Sequence, residues 1–386
     1  MVRLLAVGND PTIATLPDAV TGDTYQRQLK YASILKAYHL ITQTPPGGDT
    51  SPLQLAGNFW VYPCGRRGMV DYVISAVRMG WRIVREQGAD MISTQDPFIT
   101  GLVGYLIARR FRLPLSLQFA ADMVDNPFWV REKPTHWLLN RLAHWLIRQA
   151  DTFRVVSTSE RDKLVRMGIP PERIWNLGWI TDFTRFLEAN GDLIRARYLS
   201  SHYQRLVLFV GRLTSQKDLP TLLRAVPLVL ADHPRTIFLL VGDGPLRRVL
   251  EDRVKQARLS DNVHFTGAVP YGQVPHYFAA CDVFVLPSLY EGNARVLAEA
   301  AAAARPVIST DVSGARDTIL DSETGFIVPV RNPEALARRL STLLSDLELT
   351  TRMGQQARQH ILNLYNPERL LAGFRELWET TARMKG

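Results

Sequence analysis

Cysteine is nearly missing: the 386 residues include only Cys64 and Cys281, far apart and in no metal-ligand spacing. That excludes a disulfide scaffold and argues against a structural zinc site. It also points to a reducing compartment, the cytoplasm. No stretch holds the ~18 uninterrupted apolar residues that a spanning helix needs. The apolar start at Leu4–Val7 is too short for a signal peptide and reads as a buried strand. Repeats and low-complexity tracts are lacking as well. The alanine run 300–304 reads as helix, since alanine is the strongest helix former.

What remains is an ordinary globular composition, 46% hydrophobic and 22% charged. The length exceeds the ~250–300 residues at which single cores stop growing, so two domains are expected. Lys+Arg number 46 against 37 Asp+Glu, a net charge of +9. A basic surface suits nucleic acid, phosphorylated small molecules or an anionic membrane face. The basic residues are scattered rather than striped, which disfavours a nucleic-acid binder.

Strand and helix signals alternate in two runs. The first has strands at Leu4–Val7, Met91–Ser93, Leu115–Phe119 and Phe153–Val156, with helices at Tyr25–Ala37, Met69–Glu86 and Thr100–Phe111. The second has strands at Leu206–Val210, Ile237–Val241, Val263–Phe265, Val283–Pro287, Val307–Ser309 and Phe326–Val328. Its helices fall at Asp218–Leu230, Pro245–Ala257, Val274–Ala280, Ala294–Ala304 and Pro333–Asp346. Such alternation predicts α/β architecture with two doubly wound parallel sheets. The division is expected at residues 1–182 and 183–366, with a last helix from Pro367 returning to the first domain. Parallel sheets bind ligands beyond the carboxyl ends of their strands, so the site is expected there, between the two domains.

Four strand exits carry chemistry. After Val283–Pro287 comes Ser288-Leu-Tyr-Glu291-Gly292-Asn293-Ala294-Arg295-Val296 and, eight residues beyond Glu291, Glu299. A helix start there would offer free N–H groups to an anion, and Gly292 would let backbone approach a ligand. Were the stretch helical throughout, the two carboxylates would sit ~12 Å apart along it. That is too far for one acid–base pair and suits hydroxyls at opposite ends of a ligand; a solvated helix start with one buried, paired glutamate explains the spacing equally well. After Leu206–Val210 come Gly211, Arg212 and Lys217, which read as a phosphate clamp or as surface cations beside a turn. Gly242-Asp-Gly-Pro245 is a glycine-rich turn into a helix, too short for a dinucleotide fingerprint. Phe265-Thr-Gly267 exits into a loop at Val269.

Taken in order, Arg212 and Lys217, Gly242-Asp-Gly-Pro245, Phe265-x-Gly267, Pro287-Ser288-x-x-Glu291-Gly292, Glu299-Ala300 and Gly325-Phe326 carry a resemblance. The second half of the chain is similar to retaining glycosyltransferases of the GT-B fold, family 4, the group that includes sucrose synthases and bacterial mannosyl- and glucosyltransferases. The first half, with Ser93–Pro97 and Leu113–Leu115 at strand ends, resembles the family's acceptor domain more loosely. The resemblance implies two Rossmann-like domains facing across a cleft. It gives Arg212 and Lys217 the diphosphate of a nucleotide-sugar donor, and Glu299 the ribose. Glu291 would hold the transferred sugar with backbone amides around Asn293, Ala294, Arg295 and Val296. Gly211, Gly242 and Gly292 would line the donor, and the loop at Val269 would meet the base. The family uses no divalent metal, and this chain has no Asp-x-Asp pair.

Family members usually carry a histidine where this chain has Ala120, two residues before Asp122. Three explanations stand: a member that works without it, a chain altered at that position, or a catalytically weak nucleotide-sugar-binding relative. A shift of one or two residues would put Gln118 in its place. Acceptor-side candidates are Arg27 in the loop after the first strand, Asp96, Gln118, Asp122 and Asn126, each equally readable as an ordinary loop residue. Trp137, Leu138, Leu142, Trp145 and Leu146 recur at helical spacing among Arg141, His144 and Arg148. The stripe fits a helix packed on its own sheet, or one lying in a membrane interface beside a lipid-linked acceptor.

The expected activity is therefore metal-independent transfer of a hexose-type sugar from a nucleoside diphosphate sugar to a glycan or lipid-linked acceptor. Cell-surface polysaccharide biosynthesis is the expected setting, with no nucleic-acid partner. A nucleotide-sugar epimerase on the same fold is the rival enzyme, but no histidine-rich loop supplies its acid–base groups.

Overall fold

The computed structural model describes residues 1–14, 24–44, 48–65, 68–199, 202–292 and 294–384. Asn293, one of the expected donor residues, lies outside them. The chain forms two compact units, Met1–Thr181 with Tyr365–Gly386, and Asp182–Leu364. No described helix is long and apolar enough to cross a membrane.

The first unit contains β1 (Arg3–Val7), α1 (Thr24–Ala32), β2 (Ala37–Gln43), β3 (Leu53–Ala56), β4 (Phe59–Cys64), α2 (Met69–Glu86) and β5 (Met91–Thr94). It continues with α3 (Ile99–Phe111), β6 (Leu115–Phe119), α4 (Pro127–Glu132), α5 (Pro134–Ile147), β7 (Thr152–Val155), α6 (Thr158–Arg166) and β8 (Ile174–Asn176). The eight strands lie in the order β3-β4-β2-β1-β5-β6-β7-β8, parallel except for β3. The sequence expected a helix over Tyr25–Ala37. The helix ends at Ala32 instead, and Ala37 opens β2, a run of Tyr, His, Leu, Ile and Thr that suits a buried strand. Strands β3, β4 and β8 carried no signal that was read.

Side chains alternate across this sheet. Ile92, Thr94 and Leu115 lie under α3. Ser93 and Gln118 point to the other face, toward Phe374 and Trp378. Helices α2, α3 and α5 thus cover one face, and α1 the other.

The second unit contains α7 (Thr184–Leu187), α8 (Asp192–Tyr198), β9 (Arg205–Val210), α9 (Leu219–Asp232), β10 (Thr236–Val241), α10 (Arg247–Gln256) and β11 (Val263–Gly267). Then come α11 (Val274–Ala280), β12 (Val283–Leu286), α12 (Arg295–Ala302), β13 (Val307–Thr310), α13 (Ala315–Thr318), β14 (Gly325–Val328), α14 (Pro333–Ser345) and α15 (Leu347–Leu364). Its six parallel strands run β11-β10-β9-β12-β13-β14. The order reverses between β9 and β12. Helix α15 was not expected. Gly325, part of the resemblance, is a packing residue: a Cβ there would sit 2.2 Å from the Val307 carbonyl oxygen.

The last helix, α16 (Pro367–Arg383), belongs to the first unit. Phe374 and Trp378 pack on Tyr31, with centroids 4.7 and 5.7 Å away. Thr381 bonds Thr152 at 2.7 Å. Between them lies Arg154, fully buried on β7. Its guanidinium donates to the carbonyls of Leu177 (2.9 Å) and Gly178 (3.0 Å) and to Gln118 Oε1 (3.0 Å). It also stacks over Trp179, 4.1 Å from the ring centroid.

Glu160, at the start of α6, is buried beside Ser157 and accepts from the Val156 N–H at 3.1 Å. Burial pushes its carboxyl from 4.5 up to about 8. Between those values the folded state holds a proton that the unfolded state has released, so this group's contribution to stability is most favourable below about pH 4.5 and falls as pH rises toward 8. Glu160→Gln should flatten this slope, with denaturation midpoints matching the parent at pH 5 and exceeding it at pH 8. Parallel slopes for the two proteins would show that Glu160 does not titrate this way.

Candidate active site

The reversal point between β9 and β12 is where doubly wound sheets open a ligand crevice. Two loops meet there. One follows β9 and carries Gly211–Asp218; the other follows β12 and carries Pro287–Gly292. Leu289 N–H donates to the Gln216 carbonyl at 2.8 Å, and Gln216 Nε2 donates to the Tyr290 carbonyl at 2.9 Å. Across this joint the Lys217 ammonium bonds Glu291 Oε1, which also accepts from Ser288 Oγ at 2.6 Å. Both partners are mostly buried, with side chains 15% and 9% exposed. The sequence placed Lys217 and Glu291 in separate constellations; the sheet order makes them one.

The loop after β9 is pinned from below. Leu213 N–H donates to the Asp243 carbonyl at 2.9 Å, and Leu246 N–H donates to the Leu213 carbonyl at 3.1 Å. This close approach requires glycine at 242, where φ is 133° and a Cβ would lie 2.0 Å from the Gly211 carbonyl oxygen. Gly242 therefore acts by letting two turns touch, whereas a Cβ at Gly211 would meet the Phe209 ring at 3.0 Å. Arg212 rides on this pinned loop, exposed, and has no ion-pair partner among the described residues.

The helix after β12 starts later than expected. It opens at Arg295, behind Ala294 in a left-handed conformation (φ 44°). The carboxylates of Glu291 and Glu299 are therefore not spaced along one helix, and the ~12 Å projection does not apply. Glu291 belongs to the loop, while Glu299 is buried within α12. Small residues Ala298 and Ala300–Ala302 let this helix sit closely on its neighbours. Tyr271 donates its hydroxyl to Glu299 Oε1 at 3.2 Å, and Arg295 lies 3.6 Å from the same oxygen. Tyr271 follows the Val269 loop, so the loop expected at the base and the carboxylate expected at the ribose are tied together. Sequence reading missed Tyr271, Gln216 and the role of Ser288, because each acts through an element distant in the chain.

In the first unit, Arg27 and Gln118 line one cavity of about 70 Å³, with Gly8, Asp10, Ser93 and Trp179. Arg27, expected in the loop after the first strand, lies instead on α1, buried, and stands over Trp179, 4.8 Å from its centroid. Gln118 is held from both sides, accepting from Arg154 and donating to Ser93 Oγ at 2.9 Å. The other three acceptor candidates do not line this cavity and are engaged in local structure. Asp96 caps the start of α3, accepting from Phe98 N–H at 2.8 Å, and burial raises its carboxyl pKa. Asn126 caps α4 and donates to Asp122 at 3.1 Å. Asp122 is paired with Lys163. Ala120 directly follows β6 and is half-buried.

A two-domain Rossmann-like architecture with a built loop junction at the reversal point of its second sheet defines the GT-B class of fold. Solved structures agree. Sucrose-phosphate synthase from Thermosynechococcus elongatus superposes with a TM-score of 0.81 at 22% identity, covering 98% of each chain. HepE of Anabaena, in complex with UDP-glucose, gives 0.76 at 17% identity over 100% of each chain. Sequence families agree too: residues 191–360 match "Glycosyl transferases group 1" and residues 37–177 match "Glycosyl transferase 4-like domain". Alpha-D-kanosaminyltransferase of Streptomyces kanamyceticus is 28% identical over 315 residues, 79% of this chain and 80% of that protein. The chain belongs to the group 1 glycosyltransferases.

Proposed function

We propose that this glycosyltransferase moves a hexose-type sugar from a nucleoside diphosphate sugar to a glycan or lipid-linked acceptor. The reaction retains anomeric configuration, needs no divalent metal and serves cell-surface polysaccharide biosynthesis from the cytoplasm. The observation that carries the reading is the buried Lys217–Glu291 pair at the sheet reversal, with exposed Arg212 on the same loop. A cation and a carboxylate locked together fit a ligand that is anionic at one end and rich in hydroxyls at the other. HepE, a fold neighbour, holds UDP-glucose, which accords with such a donor.

In this reading Lys217 and Arg212 face the diphosphate, and the backbone amides at the start of α12 help hold the sugar. Glu299, held by Tyr271, receives the ribose hydroxyls, and Glu291 receives those of the sugar. The bond from the anomeric carbon to the phosphate oxygen breaks, and the acceptor oxygen bonds the same carbon from the same face. The acceptor's proton passes to the leaving phosphate. Cations fixed beside that phosphate stabilise the charge it develops, the role a metal ion plays elsewhere.

Thermal stability against UDP-, GDP-, ADP- and TDP-sugars, in chelator, tests the donor. One should stabilise the fold by ~2.7 kcal/mol at 100 times its dissociation constant. The gain should vanish in Glu299→Ala. No response from any donor, with the fold intact, would overturn the proposal.

Ala120 favours a second reading, a donor-binding relative with weak or lost transfer. Ala120→His would then create or raise turnover while leaving donor affinity unchanged.

A further inference from the structure

The outer face of α2, α3 and α5 is unlike the rest of the first unit. Helix α5 buries Ala143, Leu146 and Ile147 against the unit. Its Trp137 and Leu138 point out instead, 56% and 65% exposed, and Trp145 is 41% exposed. The apolar stripe read from the sequence is therefore split, and only part of it packs on the unit's own core. Val70 and Ile74 on α2 are 75% and 47% exposed, and Leu106 on α3 is exposed as well. No comparably large exposed apolar side chain lies on α1 or α16, among the described residues.

Charge follows the same helices. Helices α2, α3 and α5 carry six arginines and two carboxylates, Asp71 and Glu86. All six arginines are exposed: Arg78, Arg82 and Arg85 on α2, Arg109 and Arg110 on α3, Arg141 on α5. They interleave with the aromatics. Arg141 stands over Trp137, 5.2 Å from the ring centroid. Arg109 donates to Tyr105 Oη at 2.6 Å, and Tyr105 meets Trp145 edge-on at 4.7 Å. These contacts join α3 and α5 into one surface.

We propose that this face docks on an anionic lipid bilayer. Exposed Trp and Leu suit the boundary between headgroups and acyl chains, where aromatic rings sit with one side apolar and one wet. Arginines beside them reach anionic headgroups while their stems cover apolar surface. A phosphate backbone would use the arginines and leave Val70, Ile74 and Leu138 without a role, so nucleic acid does not account for the face. The inference rests on the first unit alone and does not depend on the reaction proposed above.

The test is co-sedimentation of the full chain with phosphatidylcholine vesicles, with and without a third of phosphatidylglycerol. The anionic vesicles should bind the protein roughly tenfold more tightly or better, and roughly 0.5 M salt should weaken that binding. Trp137→Ser with Leu138→Ser should reduce binding about tenfold with an unchanged melting temperature, since both side chains are exposed. Arg109→Glu with Arg141→Glu should do the same, and Arg375→Glu on α16 should not. Equal binding to both vesicles, no binding to either, or equal loss in Arg375→Glu would overturn the proposal.

Discussion

Lys217→Ala is expected to lower transferase turnover at saturating donor by about 100- to 1,000-fold, the usual effect of removing one fixed group that stabilises charge in the transition state. The same change leaves Glu291 as a mostly buried carboxylate without its ammonium partner. Breaking a buried pair from one side costs roughly 3–5 kcal/mol, and partial exposure here puts the cost toward the low end. Activity and stability would then fall together, which by itself cannot separate catalysis from folding. Lys217→Met with Glu291→Gln separates them. No charge is left unpaired, and Ser288 can still donate to the amide oxygen that replaces the carboxylate, so the denaturation midpoint should return near that of the parent. Turnover should stay low, because the cation that faces the leaving phosphate and the carboxylate that receives the sugar hydroxyls are both gone. A double variant that keeps turnover within about threefold of the parent would show that Lys217 is structural.

Arg154→Ala should destabilise the first unit by roughly 3–5 kcal/mol. Truncation opens a void under α16, and it strips the donors from Gln118 Oε1 and the carbonyls of Leu177 and Gly178. Burial brings the guanidinium pKa down to about 10, so the fold holds this charge against its desolvation cost through hydrogen bonds and stacking. Arg154→Lys should recover little. An ammonium cannot reach three acceptors as a planar fork or lie flat on Trp179. Unfolding followed by tryptophan fluorescence reads the change, analysed as two transitions if the units separate. A loss below about 1 kcal/mol in Arg154→Ala would mean that Phe374 and Trp378, with the Thr381–Thr152 bond, hold α16 without Arg154. Gln118 should then loosen in the cavity, with no effect on donor affinity.

Much of the second unit was legible because its elements are regular. Six apolar runs separated by single helices describe a parallel sheet, and Val274–Ala280 has the observed bounds. The first unit was harder. β2 was missed apart from Ala37, which the expected helix took in, since Ala37–Gln43 is buried along nearly its whole length and shows no alternation to read. Helix α15 follows α14 directly, with only Asp346 between them, so one break in the pattern had to carry two helices.

The candidate site divides in the same way. Sequence alone determined which residue types sit at strand exits, Arg212, Lys217 and Glu291 with glycines beside them, and that Glu299 follows in the next helix. Those are local facts, since a strand end and the turn after it are encoded by neighbours in the chain. Tertiary structure alone decided that Lys217 bonds Glu291, that Tyr271 holds Glu299, and that Trp137 and Leu138 face outward. The first pair is 74 residues apart in the chain. They meet because the sheet reverses its strand order between β9 and β12, and that order is set by packing across the whole unit, which no local pattern records.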